Sequence, residues 1–199
     1  MKEFNRTISG LAMEFLPALE YSKKNFFPTP QSLSMKMLQG IDFATVGSIL
    51  EPSAGKGDLV KAAIEKLDFA RHNYLHDTRD YDIDCIELDP DLRAILKDRG
   101  CRVVHDDFLT FETFKQYSLI LMNPPFDRGA EHLLKALRMQ KNGGAVVCLL
   151  NAETIKNHCT MARKELAALL NQHNADITYI ENAFMSSSRQ SNVEIALVR

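Results

Sequence analysis

Short apolar runs recur along this chain, and what separates them changes once, near the end. The runs fall at residues 46–50 (VGSIL), 82–88 (DIDCIEL), 101–105 (CRVVH), 118–122 (SLILM), 145–150 (AVVCLL), 177–180 (ITYI) and 193–198 (VEIALV). Each has the length of a strand, and most are rich in β-branched residues. Stretches with helical spacing lie between most of them, among them DLVKAAIEKL, PDLRAILKDRG, AEHLLKALRMQ and ARKELAALLNQ. Asp58 and Asp89 suit helix caps, Pro90 a first turn and Gly100 a stop. A strand that returns parallel to the one before it needs a crossover, so the alternation predicts a mostly parallel sheet with helices on both faces. Only ENAFMSSSRQSN, between the sixth and seventh runs, lacks a helical pattern. The last strand should therefore be antiparallel. The expected fold class is α/β, with a seven-stranded Rossmann-like sheet.

The 199 residues suffice for one domain with its own core. A net charge of −2 means that an anionic partner must be met by a local basic patch. The four cysteines form no C-x-x-C pair and read as free thiols of a reducing cytoplasm. Glu14 and Pro17 interrupt the apolar residues of the N-terminal stretch, so neither a signal peptide nor a membrane span is expected. His72 and His76 have i, i+4 spacing in a polar surrounding without a carboxylate-histidine pattern, so no metal site is expected.

In open α/β sheets ligands bind beyond the carboxyl ends of the strands, so the residues that follow each run are the informative ones. After the first comes EPSAGKGD, where Gly55 and Gly57 permit a sharp turn and a close ligand approach before a helix N-terminus. A P-loop would need Ser or Thr after Gly-Lys, where Gly57 stands. A dinucleotide fingerprint would need a third glycine where Val60 stands. After the second run, Glu87 can accept hydrogen bonds from the two hydroxyls of a ribose, or simply face water or cap the next helix. After the third, Asp107 could accept from an exocyclic amine and Phe108 could lie against a purine, unless Asp106 and Asp107 form a plain polar turn.

The fourth run ends in NPPF. Asn123 offers an acceptor and a donor. Pro124 and Pro125 fix two φ angles and donate nothing, and Phe126 supplies a flat face. Together they suit a planar group that carries an NH₂.

The ordered series FFPTP (26–30), EPSAGKGD (51–58), IELDP (86–90), DDF (106–108) and NPPF (123–126) resembles class I S-adenosylmethionine-dependent methyltransferases, specifically the adenine-N6 DNA methyltransferases. The resemblance spans residues 26–199 as a catalytic domain, with residues 1–25 as an N-terminal helical extension. It implies S-adenosyl-L-methionine as cofactor and DNA as partner, with RNA as the alternative. By position, Phe27, Thr29 and Pro30 match the segment that closes over the methionine part of the cofactor. Glu51, Ser53, Gly55 and Gly57 match the cofactor loop, Glu87 the ribose ligand, and Asp107 and Phe108 the adenine contacts. Asn123, Pro124 and Phe126 match the catalytic corner, and Phe184 an aromatic that packs on the target base.

The chain departs from the pattern in two ways. Phe126 stands where the family often has tyrosine, and no separate target-recognition domain is visible. The SSSRQSN segment (186–192) places Arg189 where it could touch phosphates, or else forms a polar turn. Specificity would then be low or come from a separate subunit. The rival readings are an RNA adenine or protein glutamine methyltransferase, or a non-catalytic cofactor-binding subunit of a methylation or restriction complex. Val60 disfavours a nicotinamide dehydrogenase. Ile8, Leu11, Phe15 and Leu19 fall near one helical face, as in a helix packed on the domain.

Overall fold

The computed structural model of the protein describes residues 28–73, 81–181, 183 and 193–199. The N-terminal extension 1–25, Phe27, His76, Phe184 and Arg189 lie outside the described residues. Seven strands form one sheet: β1 (Ile49–Glu51), β2 (Ile83–Ile86), β3 (Arg102–His105), β4 (Leu119–Met122), β5 (Ala145–Asn151), β6 (Ile177–Ile180) and β7 (Ile195–Val198). Their order is β3-β2-β1-β4-β5-β7-β6. All pairs are parallel except the two made by β7, which runs antiparallel to both β5 and β6.

The helices are α1 (Gln31–Met37), α2 (Asp58–Asn73), α3 (Pro90–Asp98), α4 (Gly129–Met139), α5 (Ala152–Lys156) and α6 (Met161–Gln172), with a 3-10 turn at Phe126–Arg128 before α4. Asp89 caps α3 as its position suggests, its carboxylate accepting from the amides of Asp91 and Leu92. The sequence pattern placed the start of the first strand three residues early. The amides of Gly47 and Ser48 both donate to Ser118 Oγ, at 3.1 and 3.2 Å, so the ladder begins only at Ile49. Three short helical pieces, α1, α5 and the 3-10 turn, carry too few periodic residues to be legible in advance.

Successive strand residues feed two cores on opposite sheet faces. Ile49, Leu119, Leu121, Val147, Leu149, Ile195 and Leu197 pack with Leu33 and Met37 of α1 and Leu59 and Ala63 of α2. Leu50, Ile120, Met122, Cys148, Leu150, Ala196 and Val198 pack with Leu133 and Leu134 of α4 and Leu166 of α6. This two-sided burial is why β4 reads as an unbroken apolar run, and each such side chain contributes about 1.5–3 kcal/mol. Among the described residues, no helix is long and apolar enough to cross a membrane.

Candidate active site

β1 and β4 are neighbours, yet the chain leaves β1 towards β2 on one side and β4 towards β5 on the other. Loops that part in this way leave a hollow at the carboxyl edge. Here its volume is about 530 Å³, and Thr29, Glu51, Ser53, Gly55, Glu87, Asn123, Pro124 and Phe126 are among its lining residues.

The floor is the loop after β1. Gly57 has φ of +91°, and a Cβ there would stand 3.1 Å from Leu96 Cδ2, so the position requires glycine. The loop is strapped to the end of β2 twice. Ala54 N donates to the Ile86 carbonyl at 2.9 Å, and Gly55 N donates to Glu87 Oε2 at 2.7 Å. Glu87 Oε1 accepts from Asp89 N at 2.9 Å. Both oxygens of Glu87 are thus held in place, and each keeps a second lone pair for a ligand. Burial raises the Glu87 carboxyl above its ordinary range, against the two backbone bonds, which lower it.

Glu51 is 2% exposed, and its Oε2 has no hydrogen-bond partner among the described residues. Burial pushes its carboxyl well above the usual range, and the fields of Asp58, Cys101 and Glu87 add to this, while the Val60 amide opposes it. A buried acid in this state favours a cation or a donor brought in from outside.

The wall opposite is the corner after β4. Pro125 (φ −52°) leads into the 3-10 turn, which the Arg128 N to Pro125 O bond closes at 3.1 Å. His132, buried on α4, donates from Nδ1 to the Arg128 carbonyl at 2.9 Å and so ties the turn to the helix. Burial lowers its pKa, against the bond to the Arg128 carbonyl, which raises it. Asn123 Nδ2 donates to Thr29 Oγ1 at 3.0 Å, and its Oδ1 is buried. Phe126 spans two roles, lining the hollow and packing against the α1–α2 core.

The structure does not bring Asp107, Phe108 or Pro30 to this hollow. Phe108 is 1% exposed, packed in the α4 core 5.7 Å from the His132 ring, with Lys135 Nζ 5.5 Å from its ring centre. A ring of that area is better buried under α4 than left at the sheet edge. Asp107 turns back to accept from Leu109 N at 2.9 Å, the polar-turn alternative. Pro30 serves as the lead-in to α1, its carbonyl accepting from Leu33 N and Ser34 N. Conversely, Leu88, inside IELDP, and Arg128 line the hollow without having been expected there. Leu88, 68% exposed beside Glu87, had one clue: an apolar residue just beyond a strand end.

A larger hollow of about 1130 Å³ lies at the opposite edge, against the first residues of β4 and β5. None of the motif residues reaches it. Among the described residues no cluster of His, Cys, Asp and Glu could hold a metal ion.

No known sequence-family profile matches the chain, and no curated protein matches it by sequence. Solved structures do match. A modification subunit assigned to a type I restriction enzyme of Vibrio vulnificus YJ016 superposes with a TM-score of 0.66 at 16% identity, over 100% of this chain and 49% of its own. The methyltransferase subunit of a type I restriction-modification system from Streptococcus thermophilus gives 0.64 at 15% identity, over 94% of this chain and 47% of its own. A protein of Listeria monocytogenes assigned as a class I S-adenosylmethionine-dependent methyltransferase gives 0.64 at 15%, over 96% of this chain and 66% of its own. The chain thus has the fold of these proteins and spans about half the length of the first two.

Proposed function

We propose that this chain is an S-adenosylmethionine-dependent methyltransferase acting on the N6 amine of adenine in DNA. One observation carries the reading. The Asn123–Phe126 corner lines the same hollow as Glu51, Gly55 and Glu87, so a target amine and a cofactor would share one space.

The residues fit that cofactor. It carries an ammonium, a sulfonium and a ribose diol, and the hollow offers the half-buried carboxyl of Glu87 and the buried carboxyl of Glu51, whose Oε2 has no partner among the described residues. Glu87 would accept from the ribose hydroxyls and Glu51 from the ammonium, while the loop at Gly55 and Gly57 lets the backbone approach closely. When bound, the cofactor supplies an electrophilic methyl group, so no metal and no covalent enzyme adduct is needed.

The protein's part is orientation and electrostatics. Adenine N6 is a poor nucleophile because its lone pair is delocalised into the ring. Asn123 Oδ1 and the Pro124 carbonyl accept hydrogen bonds from its two N–H groups, which pyramidalises the nitrogen and turns the lone pair towards the methyl group. Phe126 stacks on the base, contributing about 1–3 kcal/mol and offsetting much of the few kcal/mol that flipping costs. The proline-fixed backbone keeps these acceptors from relaxing away.

A separate specificity subunit for target recognition is consistent with the likeness of the fold to modification subunits of type I restriction systems. RNA is the nearest alternative substrate, since the corner reads only the base. The test is transfer of labelled methyl to unmethylated duplex DNA, followed by digestion to nucleosides. Label in N6-methyladenine from the parent, and none from Asn123→Ala with cofactor affinity kept within about threefold, is the expected outcome. Cofactor binding without label in DNA would overturn the DNA assignment.

A further inference from the structure

We infer that Thr29 is a positioning residue for methyl transfer, its hydroxyl holding the Asn123 side chain with the amide oxygen, and not the nitrogen, presented to the target amine. The inference rests on the methyltransferase reading above and adds to it. The two ends of a primary amide have nearly the same shape and opposite hydrogen-bonding sense. Only the oxygen can accept a proton from an amine; the nitrogen would set donor against donor. A rotation about the last torsion of Asn123 exchanges the two, and that torsion is intrinsically soft. A partner must therefore hold it.

Thr29 is such a partner. Its Oγ1 accepts from Asn123 Nδ2 at 3.0 Å across 94 positions of sequence. The residue is 9% exposed and lines the hollow. It is held from behind: the Pro30 carbonyl accepts from Leu33 N and Ser34 N, both at 2.9 Å, and Leu33 and Met37 anchor α1 in the core beside α2. The hydroxyl is therefore a fixed post on the far side of the site and not part of the corner it steadies.

A hydroxyl can donate or accept, so it selects one amide orientation only when its own proton is committed elsewhere. Thr29 faces a space meant for a cofactor whose methionine part ends in a carboxylate. Once its proton is donated to such an anion, Oγ1 can only accept, and it accepts more strongly. The amide NH₂ is then locked on Thr29 and the oxygen on the target side. Cofactor occupancy and the readiness of Asn123 are coupled through one oxygen atom.

The test compares Thr29→Val, which keeps the shape and removes the hydroxyl, with Thr29→Ser, which restores it. Methyl transfer is followed in a single turnover at saturating cofactor, and cofactor affinity is measured separately by calorimetry. The side-chain NH₂ of Asn123 is observed by ¹⁵N NMR in the same proteins. The expected result is a loss of about 10- to 100-fold in the transfer rate for Thr29→Val, with affinity changed much less. Thr29→Ser should recover to within about threefold, and the Asn123 NH₂ should exchange faster with solvent in Thr29→Val alone. Loss of affinity with the saturated rate unchanged would overturn the inference, making Thr29 a cofactor contact only. If the parent transfers no methyl to DNA, the function assignment fails, and the NMR arm still decides. An Asn123 NH₂ signal indifferent to Thr29→Val overturns the orienting role on its own. Should Thr29→Val not fold, slow exchange of that NH₂ in the parent and in Thr29→Ser supports the inference, and fast exchange overturns it.

Discussion

Two ends of the same strands bury carboxylates in opposite ways. Near the amino end of β2, Asp84 is 4% exposed and surrounded by donors: Lys115 Nζ at 2.7 Å, the Tyr117 hydroxyl at 2.8 Å and Arg102 Nε. Lys115 and Arg102 also hold Asp82, which closes a network across β2, β3 and the approach to β4. At the carboxyl end of β1, Glu51 is buried just as deeply and has an oxygen without a partner among the described residues. Burial pushes both carboxyl groups up. For Asp84 the hydrogen bonds from Lys115, Tyr117 and Arg102 outweigh it and hold the group below its ordinary value. For Glu51 nothing comparable opposes it. Equal burial therefore does not mean an equal role. One end commits its charge to holding strands together, and the other keeps an oxygen without a partner among the described residues.

Removing the paired charge should have the largest effect. Asp84→Asn leaves Lys115 and Arg102, both part-exposed and both still held by Asp82, facing a neutral amide, and unfolding by urea should show a loss of about 1.5–3 kcal/mol. Cofactor affinity, measured where the variant is still folded, should be unchanged. A loss under 1 kcal/mol would show the network to be surface decoration.

Glu87→Gln should act in the opposite sense. Cofactor affinity falls roughly 10- to 100-fold, because charge-assisted bonds become neutral ones, while stability falls by only about 1 kcal/mol, since the new NH₂ must face one of the two backbone amides that Glu87 accepts from. Calorimetric titration and a urea curve on one preparation check both halves.

The smallest effect is in stability against pH. A depressed group such as Asp84 contributes stability that is whole above its unfolded pKa and is lost as pH falls through the folded value. Glu51 has the reverse sign. Its raised folded value means that the folded state binds the proton more tightly, so its contribution is present at low pH and disappears as pH rises through that value. Glu51→Gln should therefore be more stable than the parent at neutral pH by about 1 kcal/mol, with the gap closing on acidification towards pH 4. A gap that widens on acidification would mean that Glu51 is paired in solution.

Much of this architecture was legible beforehand. β4 could be read because a strand covered on both faces must be apolar throughout, and its end because two prolines cannot extend a ladder. Glu87 was legible because it follows a strand, at the one edge where open sheets bind ligands. Phe108 was not. Its place after β3 suggested a ligand contact, yet burial under α4 beside His132 claims the ring. Nor could the sequence show that Glu51 would be buried with an open oxygen, since depth depends on what packs over the loop.

The amino-acid order by itself therefore determined the alternating elements, the two-sided burial of the sheet and the stiff corner at Asn123–Phe126. These follow from local stereochemistry and from side-chain periodicity, which act within a few residues. Only the tertiary structure decided that β7 slides between β5 and β6, and that Thr29 meets Asn123 across 94 positions. Partners so far apart are chosen by the packing of the whole sheet and its helices, because no local preference acts over that distance.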